Sequence, residues 1–152
     1  MKEIIFDTEI NKWNENDSEF DKIMKGKKDV IVLVENHQQN LFGGYIGNEI
    51  NIRQNIQDQS FYVFSLRKNG EFNPKKYEKN DVGYSYQINS DDFCVLMSFG
   101  TANNTCEDIT LYKKDYSGGF CRQHCYNYND KEFELCGKNN FNIKRIVVYQ
   151  LK

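Results

Sequence analysis

Apolar residues fall along this chain in short runs separated by polar stretches rich in Asn, Asp, Gly and Lys, and most of the runs have the length of strands. Lys2 to Phe6 predicts a short opening strand. Asp29 to Glu35, with Val30, Ile31, Val32, Leu33 and Val34, is apolar on both faces, which predicts a central strand. The polar turn Glu35 to Asn40 then returns the chain through Leu41-Phe42-Gly43-Gly44-Tyr45-Ile46, so the two runs form a hairpin. Phe61 to Leu66 is an aromatic strand that Lys68-Asn69-Gly70 closes with a turn. Tyr84 to Ile88 alternates with period two, and Phe93 to Phe99 is again apolar. Asp108 to Tyr112 follows the turn Gly100 to Thr105, with Ile109 and Leu111 on one side. Phe141 to Leu151 is the closing strand, too apolar to be an edge.

One stretch has helical period. Phe20, Ile23 and Met24 share a face behind Asp17 or Ser18 as cap, and Gly26 ends the helix. Gly47 to Ser60 is ambiguous between helix and loop, Glu71 to Asp81 reads as a charged connection around Pro74, and the pattern weakens from Tyr116 to Cys136. The expected fold is therefore a β-dominated α+β chain, a two-layer antiparallel sandwich with one to a few peripheral helices. At 152 residues it is one domain over 1–152, long enough to bury roughly 70% of its unfolded surface.

Charge narrows the function classes. Twenty Lys plus Arg against 22 Asp plus Glu leave a net charge of -2, which gives no basic footprint for nucleic acid and no polybasic membrane anchor. Nucleic-acid binding through Lys25/Lys27/Lys28 and Lys75/Lys76/Lys79 is the weakest alternative, since both clusters sit beside acids. The opening residues have no signal-peptide pattern and no run approaches ~18 apolar residues, so a cytosolic protein without membrane insertion is expected.

The glycine pair Gly43-Gly44 interrupts an apolar run, which predicts a bulge or a close backbone approach. A nucleotide loop is rejected there: GxGxxG needs glycine at Phe42, and no Lys-Ser/Thr pair follows. Neither His37 nor His124 sits in a nucleophile motif, and no glycosidase-like carboxylate pair can be chosen. The sharper constellation is Cys121-Arg122-Gln123-His124-Cys125. Cys121, His124 and Cys125 are candidate ligands for zinc, with Cys106 or Cys136 as a fourth, although C-x-x-H-C lacks paired spacing. Alternatively Arg122 stabilises a Cys121 thiolate in a redox site. Ordinary core thiols are the plain reading of the five cysteines.

Taken together, Ile4-Ile5-Phe6-Asp7, the Leu41 to Ile46 motif with Phe42, Gly43, Gly44 and Tyr45, and the Phe61 to Leu66 strand resemble the TLDc domain family, the oxidation-resistance proteins. The likeness continues through Ser98-Phe99-Gly100 into Asp108-Ile109-Thr110-Leu111-Tyr112 and closes with Arg145-Ile146-Val147-Val148-Tyr149. The resemblance implies a sandwich of two antiparallel sheets, no established reaction or cofactor, protection against oxidative stress, and contact with the vacuolar proton-pumping ATPase. It implies a binding surface on loops at one end, including the turn before Leu41 and the Gly100 to Thr105 turn. Where the family usually has an acid and a tryptophan in its last strand, this sequence has Val147 and Tyr149, so a catalytic use of that acid does not carry over. The amino-terminal modules often joined to the domain are not in this sequence, and targeting is expected to come from the domain or a partner.

Overall fold

The alternation in Val30–Asn36 builds the middle of the larger sheet: Val30, Val32 and Val34 are fully buried, while Ile31 and Leu33 on the other face are half-buried. The computed structural model describes residues 2–52, 55–80, 83–89, 94–102, 106–116, 118–122, 125–126, 128, 135–137 and 139–152. Its strands in chain order are β1 (Lys2–Asp7), β2 (Trp13–Asn14), β3 (Asp17–Ser18), β4 (Val30–Asn36), β5 (Leu41–Ile46), β6 (Tyr62–Lys68) and β7 (Glu71–Glu78). They continue as β8 (Tyr84–Ile88), β9 (Val95–Ala102), β10 (Cys106–Tyr112), β11 (Gly119–Cys121), β12 (Asn140–Phe141) and β13 (Ile143–Leu151). One α-helix, α1 (Phe20–Met24), and a 3-10 turn at Lys114–Tyr116 complete the elements among the described residues.

Two antiparallel sheets carry the fold, ordered β1-β13-β4-β5-β6-β7 and β12-β11-β10-β9-β8. Their inner faces share one core, in which Phe42 meets Phe141 edge-on at 5.2 Å and Phe61 lies 5.5 Å from Tyr86 and 5.6 Å from Phe99. The expected sandwich is thus the observed one, and β4 and β13 are interior strands as their composition predicts. β4 differs in one respect: only one of its faces enters the core. α1 packs Phe20 on Phe6 at 4.9 Å. Its N-cap is Glu19; Ser18 contributes from one position earlier, its Oγ accepting the Phe20 N–H at 3.3 Å. Gly26, with φ +74, ends the helix in the left-handed conformation that glycine adopts without strain.

Two stretches differ from the pattern reading, and it leaves a third open. Glu71–Glu78 is a strand and not a connection, because an edge strand with a wet face needs no apolar period, and Pro74 sits at an irregularity of the β6–β7 register where its missing N–H costs little. Gly100 is not a turn residue: β9 runs on through Ala102, and the rest of the expected turn, 103–105, lies outside the described residues. Gly47 to Ser60 forms no described helix. The buried Asp58 ties its two ends together, its carboxylate accepting the N–H groups of Gly47, Asn48 and Ser60 at 3.0, 3.0 and 2.9 Å.

The first and last strands are also tied by charge. Asp7 is 2% exposed and takes a two-pronged contact from Arg145, Nε to Oδ1 at 3.0 Å and an Nη to Oδ2 at 2.5 Å. That hydrogen bonding holds the Asp7 carboxyl below the ordinary 3.8, opposed in part by burial. A lowered carboxylate pKa contributes stability that is present above pH 3.8 and lost as pH falls through the folded value. Arg145→Gln should therefore lower stability at neutral pH and flatten its decline below pH 3.8, as read from urea midpoints across a pH series.

Candidate functional site

Strand alternation on β10 puts Ile109 and Leu111 toward one side and Asp108 and Thr110 toward the other, and all four are buried. β10 lies between β9 and β11, so its carboxylate must find partners within the protein. The chain after β11 supplies them. Asp108 Oδ1 accepts the Cys125 N–H at 2.7 Å; Oδ2 accepts the Tyr126 N–H at 3.1 Å and the Tyr128 hydroxyl at 2.9 Å. The Asp108 carbonyl accepts the Arg122 N–H at 2.9 Å. One side chain thereby anchors Cys125, Tyr126 and Tyr128, of which Tyr126 also forms an isolated bridge with Lys79. Gly100 stands opposite Asp108 in the β9–β10 register with φ +65, and a Cβ there would lie 2.8 Å from Asp108 Oδ1 and 3.0 Å from Cys125 Cβ and Tyr126 Cε2.

The phenols of this cluster are donors. Burial first, and the Asp108 charge second, push Tyr126 and Tyr128 well above the ordinary tyrosine value, so both stay protonated at neutral pH. Tyr126 gives its hydroxyl hydrogen to the Ser85 carbonyl at 3.0 Å.

Cys121 and Cys125 are brought into this same interior, at 2% and 0% exposure, and Cys136 joins them, its thiol hydrogen-bonded to Cys121. His124 lies outside the described residues, as does the side chain of Cys106. Among the described residues no group of three His, Cys, Asp or Glu could hold a metal ion. Arg122 stacks over the Phe120 ring at 4.8 Å. Burial pushes the Cys136 thiol well up, away from the thiolate that reacts. The expected result of a thiol titration follows: Cys121, Cys125 and Cys136 stay unmodified in the native protein and react once it is unfolded in urea. Modification of any of them at the native rate of a free thiol would contradict this burial.

The glycine pair serves two different neighbours. Gly44 faces the core, where a Cβ would lie 3.0 Å from Phe61 Cζ and 3.4 Å from Phe99 Cε1. At Gly43 a Cβ would run into the Val32 carbonyl of β4, a backbone atom. Neither has positive φ, so close approach and not a left-handed turn selects glycine at both. Phe42 is buried beside them, and Tyr45 gives its hydroxyl hydrogen to Asp29 at 2.9 Å, its pKa pushed up to about 12 by burial and by that carboxylate.

The family model of the TLDc domain matches residues 8–152. The chain belongs to the TLDc domain family. No curated protein matches the sequence. In this TLDc domain the turn before Leu41 is held from several sides. Asn36 Oδ1 accepts the Gln38 and Asn40 N–H groups, both at 3.0 Å, and Asn36 and Asn40 side-chain amides donate to the Cys136 carbonyl at 3.2 Å. Asn40 Oδ1 accepts the Asn69 N–H at 2.8 Å, and Arg67 Nε donates to the Gln39 carbonyl at 3.0 Å. Two hairpin turns and the Cys136 segment thus form one braced end. The TLDc residues that sequence reasoning passed over are Asp108 as an anchor, and Asn36 and Asn40 as the brace. An acid inside an apolar strand was the available signal for Asp108.

Proposed function

We propose that this TLDc domain is a non-catalytic binding module of the oxidative-stress response in the cytosol, and that its partner is the peripheral sector of the vacuolar proton-pumping ATPase. Family membership supports the stress-response setting. The observation that carries the binding reading is the Asp108 cluster: its carboxylate is engaged by three donors, its phenols are held protonated and its thiols are buried. Groups arranged in this way brace a scaffold. A braced scaffold presents its turns and sheet faces to a partner with little ordering cost.

The test is direct binding of the purified chain to the purified peripheral sector at two salt concentrations. Saturable binding that persists at the higher salt is expected. No binding at either salt would overturn the partner assignment. The second reading, a thiol switch, is favoured by one contact, the Cys121–Cys136 hydrogen bond. It predicts that peroxide joins these two sulfurs in the folded protein, with the two thiol hydrogens leaving in water, and mass analysis after peroxide decides it.

A further inference from the structure

An antiparallel sheet with one face on a core usually turns polar side chains to water on the other. The outer face of the six-stranded sheet is apolar over much of its width instead, beside one charged row in which Glu35 pairs with Arg67 at 2.7 Å. Pairing register aligns Tyr149, Ile31, Tyr45 and Tyr62 in one row across β13, β4, β5 and β6, with Ile4 of β1 at its end, half-exposed at 50%. A second row runs Val147, Leu33, Gly43, Phe64. Gly43, pressed against the Val32 carbonyl of β4, adds no side chain to this row. The rows border a groove of about 690 Å³ whose described walls come from β1, β13, β4, β6 and β7.

Among its described lining residues the charges have one sign. Lys2 stands on β1, one edge strand of the sheet, and Lys75 and Lys76 stand on β7, the other; no acid is among the described residues that line the groove. Lys76 packs over the Tyr62 ring at 4.3 Å and pairs with Glu78, an exposed acid outside the lining, at 2.7 Å. A ligand that lies across the sheet meets ammonium groups at both ends and apolar rings between them. Six strands at about 4.8 Å spacing span about 24 Å, the length of roughly 16 helical residues.

We propose that this groove docks an amphipathic helix of a partner protein, with an aliphatic stripe along it and acidic residues at both ends. This rests on the binding-module reading and names the class of partner. A helix fits for a backbone reason. The β-sheet's own N–H and C=O groups are paired within the face, so an extended segment laid across it would leave its polar backbone unsatisfied, whereas a helix satisfies its own. Strand addition is disfavoured at the β7 edge, where Pro74 interrupts the donors.

Two synthetic 16-residue helical peptides test it, both with the same leucine stripe, one with Glu at each end and one with Lys. Titration into the isotopically labelled full chain should move the amide signals of Ile31, Leu33 and Phe64 with the Glu-ended peptide, at least tenfold more tightly than with the Lys-ended one. The triple variant Lys2→Glu, Lys75→Glu, Lys76→Glu, all on edge strands and outside the core, should invert that preference while it still unfolds in one cooperative urea transition with the native m. Equal affinity for both peptides, signals that move elsewhere, no binding, or a concentration-dependent dimer that hides this face would each overturn the proposal. Measured on the same triple variant, binding to the peripheral sector separates the two claims. If the native chain binds that sector and the variant binds equally well, the groove fails while the binding-module reading stands.

Discussion

Asp108→Ala should lower the stability of the domain by about 3–5 kcal/mol, because it leaves three buried donors without an acceptor at about 1–3 kcal/mol each before relaxation. For a domain with total stability of about 5–15 kcal/mol that is a large fraction. Asp108→Asn keeps one acceptor oxygen but turns an amide toward a donor, and about half the loss is expected. Gly100→Ala acts on the same cluster from the facing strand, through φ +65 and the contact with Asp108 Oδ1. Urea unfolding at constant m reads all three. A midpoint for Asp108→Ala equal to wild type would show that the carboxylate does not anchor Cys125, Tyr126 and Tyr128.

Gly43→Ala is the second large effect, at about 3 kcal/mol or more, since its new methyl group meets the Val32 carbonyl of a central strand and β5 must separate from β4 to admit it. Gly44→Ala meets aromatic ring atoms at 3.0 and 3.4 Å and a carbonyl at 3.4 Å, and about 1–3 kcal/mol is expected. The order of the two is the informative result, because the sequence treats the glycines as a pair while the structure gives them opposite faces. Equal midpoints for the two variants would contradict the close approach at Gly43.

How far the sequence could be read depends on where each signal resides. Strands that bury side chains announce themselves: Val30 to Val34 and Ile146 to Val148 are apolar because they lie inside the larger sheet. Glu71–Glu78 has no such obligation at an edge, and its strand identity comes from the Asn69-Gly70 turn, with φ of 50 and 86, that folds it back on β6. Gly100 reads as a turn because glycine favours turns, yet its left-handed backbone sits inside β9 to make room for Asp108. Cys121, Cys125 and Cys136 are buried, as the plain reading of the cysteines as core thiols has them, but the anchor was not visible, since it depends on main-chain N–H groups of Cys125 and Tyr126 reaching a carboxylate 17 and 18 residues earlier. Main-chain donors carry no residue signature. The family motif Leu41 to Ile46 was legible as a motif, while its division into a core-facing Gly44 and an outward Gly43 needed the register.

The central claim is that this TLDc domain protects by binding and that its buried thiols are scaffold. Peroxide survival of cells in which Cys121→Ala, Cys125→Ala and Cys136→Ala replace the native residues, compared at equal abundance of folded protein, tests it most directly. Survival equal to that given by the native chain, and above that of cells lacking it, is the predicted result; survival reduced to the level of cells lacking the chain would contradict the account and assign the protection to the thiols.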